Sequence, residues 1–135
     1  MMVGKINQFL SDVTQWASSQ SDIQALALVG SYARNTAKET SDVDLVLITT
    51  DSNLYLNDPS WVQQFGTVSK QQIEDYGLLI SIRTWYTDGR EVEYGITDER
   101  WSADPLDEGT RRVIADGMQI LFERRDILSR HQSMK

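Results

Sequence analysis

The stretch from Leu28 to Ile48 constrains the fold of this chain more than any other. Ala25 to Val29 is a short apolar run stopped by Gly30, the pattern of a buried strand entering a tight turn. Ser31 then opens a short polar helix. The free N–H groups of a helix start, together with a serine hydroxyl, attract anions such as phosphate. In the strand that follows, side chains alternate, so Asp42 and Asp44 share one face while Val43, Leu45 and Leu47 take the other. Two adjacent carboxylates repel, and a fold seldom keeps them without a cation between them. A phosphate seat beside a carboxylate pair predicts a nucleotide and a divalent metal.

The rest of the chain arranges itself around that centre. From Val3 to about Ser19, Ile6, Phe9, Leu10, Val13, Trp16 and Ala17 recur at helical spacing, with Lys5, Gln8, Asp12 and Gln15 opposite. This predicts an amphipathic helix covering a sheet, with Trp16 in the core rather than against a base. Asp51 to Pro59 reads as loop, a short helix is expected from Asp58 or Ser60 through Phe65, and Gly66 to Tyr76 reads as loop or frayed helix. This insertion is read as a surface connection, with a border of an acceptor site as the alternative. Gly77 to Tyr86 and Glu91 to Thr97 read as strands joined by a tight Asp88-Gly89 hairpin. A two-residue turn there pairs Thr84 with Glu93 and Arg83 with Tyr94, placing Thr84, Tyr86, Glu91 and Glu93 on one face. Arg83 falls on the other face and is read as structural. Trp101 belongs to a short helix or capped loop before Pro105. Asp107 to Asp116 reads as a helix closed by Gly117, Gly117 to Phe122 as a last strand, and Asp126 onward as a polar helical tail.

Gly30-Ser31, ten intervening residues, then Asp42-Val43-Asp44-Leu45 resembles the signature of the polymerase-β-type nucleotidyltransferase superfamily. Gly-Ser-Tyr-Ala-Arg is similar to the small stand-alone bacterial members, the minimal nucleotidyltransferases, and to the N-terminal domain of aminoglycoside adenylyltransferases. Gly109-Thr110-Arg111-Arg112-Val113 and Asp116-Gly117 extend the likeness less specifically. Asn35 departs from it, standing where small members often carry glycine after the arginine. The resemblance implies a third acid between apolar residues on a later strand, which Val92-Glu93-Tyr94 supplies. Glu93 alone would read as a solvated strand glutamate; beside Asp42 and Asp44 it reads as a ligand. The resemblance also implies two Mg²⁺ ions, an NTP donor (ATP is expected) and transfer of a nucleoside monophosphate to an acceptor hydroxyl. Asp42 and Asp44 would serve both ions, and Glu93 the acceptor-side ion or the acceptor as general base. Oxygen ligands with no Cys or His nearby suit magnesium, with manganese as substitute. Gly30 and Ser31 would hold the β- and γ-phosphates. Arg34 and Lys38 either add charge to the triphosphate, pair with Glu39 or Asp42, or face solvent.

The expected fold is a single α/β (α+β) nucleotidyltransferase domain over residues 1–135: a mixed, twisted sheet with the Asp-Gly hairpin, helices packed on one side and the site on the open side. A net charge of −7 argues against a long nucleic acid and agrees with a cationic acceptor or basic protein partner. The chain has no cysteine, which excludes disulfides, zinc thiolates and thiol nucleophiles. His131, the only histidine, sits in the polar tail, away from the motif. No apolar signal core or membrane-length run occurs, so a cytoplasmic protein is expected. No Gly-x-x-x-x-Gly-Lys or Gly-x-Gly-x-x-Gly pattern competes. Antibiotic-modifying relatives append a helical domain that completes the acceptor pocket, and this chain ends before one. A homodimer or a separate partner is therefore expected to supply that wall, or the acceptor is itself a protein. The second functional expectation is an antitoxin-type member that binds or adenylylates a helical HEPN-type toxin.

Overall fold

The computed structural model describes residues 2–33, 42–103 and 106–132, with the side chains of 2–4 and 132 left aside. Helix α1 (Met2–Ser19) leads into strand β1 (Ile23–Val29), the one-turn helix α2 (Gly30–Ala33) and strand β2 (Val43–Thr49). Helix α3 (Ser52–Leu56) and a 3₁₀ segment (Pro59–Phe65) precede β3 (Val68–Asp75), β4 (Ile80–Tyr86) and β5 (Glu91–Thr97). A second 3₁₀ turn (Glu99–Ser102), α4 (Glu108–Asp116), β6 (Met118–Glu123) and α5 (Ser129–Gln132) complete the order. The strands form one mixed sheet, β3-β4-β5-β2-β1-β6, in which only β2 and β5 run parallel.

Helix α1 buries its predicted stripe. Ile6, Phe9, Val13 and Ala17 pack on Leu26, Leu28, Leu45, Leu47, Tyr94 and Ile96. Trp16 stacks on Trp61 with centroids 4.8 Å apart and 7° between planes, so it serves the core as expected. The opposite face of the sheet is also covered in part, where an open side was expected. Ala25, Ala27, Val29, Val46 and Ile48 pack with Trp101, Ile127 and Leu128, flanked by Val113 and Ile114 of α4. Strands β1 and β2 are apolar on both faces, and central strands of that kind demand cover on both. The tail is accordingly anchored: the His131 ring is buried, 2.7 Å from the Ser102 carbonyl oxygen.

Three readings need correction. Asp51–Pro59 is not all loop, since α3 occupies part of it. Residues 66–76 are neither loop nor helix but mostly strand β3, paired with β4 alone at the sheet edge. Its side chains are almost all exposed, so no apolar alternation announces it. Third, the β4–β5 register slips by one from a two-residue turn. Tyr86 N–H donates to the Arg90 carbonyl, closing a three-residue loop in which Gly89 takes φ +96°. That matches the loop of a turn followed by a left-handed residue, a conformation glycine adopts freely. Arg83 therefore pairs with Glu93, and Thr84 with Val92. A one-residue slip moves side chains to the other face, so Arg83 joins Glu91 and Glu93, while Thr84 turns into the core.

Candidate functional site

Strand register assembles the acids. In the parallel β2–β5 pair Asp44 lies directly across from Glu93, and Asp42 stands one residue before β2 on the same face. A carboxylate oxygen from each of Asp42, Asp44 and Glu93 lies within 4.8 Å of the other two, and all three residues are half-buried. Val29, the last residue of β1, pairs with Asp44, so the turn at Gly30 passes directly over that carboxylate. Gly30 has φ +73°, and a methyl group added there would lie 2.3 Å from Asp44 Oδ2. Only glycine lets the backbone approach this closely. Ser31 follows in α2, half-buried. Arg34 and Lys38 lie outside the described residues.

The electrostatics reflect crowding. Burial, a hydrogen bond shared with Glu93, and the charges of Asp42 and Glu93 push the Asp44 carboxyl from 3.8 up to about 7, with Arg83 opposing. Ser81 Oγ donates to Glu93 Oε1 at 3.2 Å and orients it. These residues fit a hard divalent cation: three oxygen donors converge beneath a glycine cradle, and burial together with the neighbouring acids disfavours the ionised Asp44 carboxylate, a penalty a cation among them would offset. From the acids a cavity of about 800 Å³ opens between the sheet and α4. Leu79, Trp101 and Val113 give it apolar walls, and Asp107 and Asp116, at the two ends of α4, also line it.

The sequence model of the streptomycin adenylyltransferase family matches residues 5–97, from α1 to the end of β5. The chain belongs to this family. Among solved structures, an aminoglycoside 6-adenyltransferase from Bacillus subtilis is similar, with a TM-score of 0.52 and 17% identity. The match covers 64% of this chain and 32% of that one, so the chain corresponds to about a third of that protein's length and the likeness is one of fold. No curated protein matches the chain. Within the streptomycin adenylyltransferase family match fall the Gly30-Ser31 turn and all three acids.

Sequence reasoning missed two groups beside the acids of this adenylyltransferase-family chain. Arg83 reaches Glu91, Glu74 and Asp42, and its hydrogen bond to Glu91 and the surrounding glutamates raise its pKa. Tyr76, at the β3–β4 turn, is exposed at the cavity mouth. Reading Thr87-Asp88-Gly89 as a three-residue loop would have found Arg83; no sequence signal marked Tyr76.

A stability consequence follows from Asp44. Its native pKa lies above its unfolded value, so between about 4 and 7 the native state holds more protons and stability falls as pH rises. Asp44→Asn removes that slope. In chelator, the variant is expected to match the wild type near pH 4 and to exceed it near pH 8 by about 2 kcal/mol, a figure discounted for the solvent reaching the site. Urea midpoints at the two pH values measure this; parallel pH dependences in the two proteins would refute it.

Proposed function

We propose that this chain catalyses divalent-metal-dependent nucleotidyl transfer, moving AMP from ATP to a hydroxyl of a small-molecule acceptor. The observation that carries the reading is the convergence of Asp42, Asp44 and Glu93 under the Gly30 turn. Asp42 and Asp44 would hold Mg²⁺ ions, with Glu93 completing the set on the acceptor side. Bound there, the ions would neutralise the triphosphate and lower the pKa of the acceptor hydroxyl. Gly30 and Ser31 cradle the β- and γ-phosphates through backbone N–H groups and the hydroxyl. The acceptor oxygen attacks the α-phosphorus in line, the bond to the bridging oxygen breaks and pyrophosphate leaves. Glu93 accepts the hydroxyl proton, with Ser81 holding its carboxylate in place through Oε1.

The cavity favours a cationic acceptor. Asp44, Glu93, Asp107 and Asp116 line it, and no basic side chain does among its described residues. An amino sugar carrying ammonium groups fits that lining, in keeping with the acceptors named for the family and for its structural neighbour. The test has two stages. ATP titrated calorimetrically into the protein is expected to bind with Mg²⁺ and not in chelator. Pyrophosphate release is then expected when amino-sugar acceptors are added. Absence of ATP binding with either Mg²⁺ or Mn²⁺ would sink the reading.

A further inference from the structure

We infer that Arg83 is a positioning residue for Asp42, holding that carboxylate toward Asp44 and Glu93 so that a divalent cation finds its ligands already gathered. The inference rests on the metal-dependent reading above.

The guanidinium is itself firmly held. Its Nε and Nη2 donate to Glu91 Oε2 at 2.7 and 2.5 Å, and its Nη1 lies 3.5 Å from Glu74 Oε1. Its plane rests near the Trp85 ring, 5.3 Å from the centroid, with Lys70 also against that ring. Three strands thus fix one cation: β3 through Glu74, β4 through its own backbone and β5 through Glu91. Glu91 takes the hydrogen bonds. Glu74 Oε1 is buried with no hydrogen-bond partner and depends on the charge alone.

Asp42 needs such support more than the other two acids. Asp44 and Glu93 sit inside paired strands, and Ser81 also orients Glu93. Asp42 precedes the first ladder pair, Val43 with Val92. Among the described residues its one ion-pair partner is Arg83, with Nη2 3.9 Å from Oδ2. That separation lies beyond hydrogen-bond range, so attraction orients the carboxylate while its lone pairs stay available to a metal.

Positioning and plain electrostatics predict opposite signs. Were Arg83 merely a nearby positive charge, removing it would tighten binding of a divalent cation. If it positions Asp42, removal weakens binding despite the lost repulsion. Lysine separates the two further, because it keeps the charge but cannot reproduce the fork that Glu91 grips. The experiment is Mn²⁺ binding to the nucleotide-free full chain, followed by electron paramagnetic resonance, for wild type, Arg83→Met and Arg83→Lys. Both variants are expected to bind Mn²⁺ about tenfold more weakly, the range seen when outer-shell partners of metal ligands are lost. Thermal melts in chelator check that each is folded; should the methionine variant not fold, the lysine variant decides alone. Binding by Arg83→Met equal to or tighter than wild type, or wild-type binding by Arg83→Lys, overturns the inference with the metal centre intact. A wild type that binds no Mn²⁺ overturns the metal centre itself, and the role of Arg83 falls with it.

Discussion

Glu93→Gln is expected to lower turnover roughly a thousandfold while leaving ATP affinity within about threefold of the wild type. The asymmetry comes from where Glu93 stands. Asp44, on β2, lies beside the Gly30 turn that would seat the triphosphate, with Asp42 just before that strand, whereas Glu93 reaches the cluster from β5 and accepts from Ser81 on β4. Glutamine preserves the shape and can still accept from Ser81, so strand packing is unaffected. It loses the negative charge and the basic oxygen, whose largest effect comes as the acceptor hydroxyl gives up its proton. The substitution also removes a charge that pushes Asp44 up, so Asp44 in the variant should ionise at lower pH. Steady-state kinetics together with calorimetric ATP binding make the test. Equal losses in affinity and turnover would place Glu93 in ground-state nucleotide binding instead.

How far the sequence discloses this site depends on the distance over which each signal acts. Asp42 and Asp44 are legible because alternation along one strand is local, and Gly30 because a buried strand ending in glycine announces a turn. Glu93 needs the pairing of β2 with β5, which a single sequence does not display; the family resemblance supplied it. Arg83 was lost through one hairpin residue. A two-residue reading of Asp88-Gly89 turned it away from the acids, and the observed three-residue loop turns it toward them. Strand β3 was illegible for another reason. At the sheet edge, with both faces largely in solvent, it carries no apolar period, and pairing with β4 alone makes it a strand. The cover of the second sheet face by Trp101, Ile127 and Leu128 was hidden because these residues come from short, irregular segments. Yet the double-sided apolar character of β1 and β2 required some such cover.

Gly30→Ala is expected to abolish measurable metal-dependent ATP binding. Two penalties combine. At φ +73° an L-residue costs about 1–2 kcal/mol of backbone strain. The added carbon would also fall 2.3 Å from Asp44 Oδ2, far inside contact distance, and either the turn or the carboxylate must move. Both moves damage the proposed site, one by displacing the phosphate cradle and the other by pulling Asp44 away from Glu93. Gly77→Ala provides the comparison, since Gly77 is also left-handed at φ +90° but an added methyl there meets nothing within 4 Å. The two variants should lose similar stability from the backbone term, measured by urea denaturation, with Gly30→Ala losing more if Asp44 resists displacement. Calorimetry then separates strain from site damage. ATP binding retained by Gly30→Ala would mean that the turn does not form the phosphate seat, and the nucleotide would have to lie elsewhere along the acid-lined cavity.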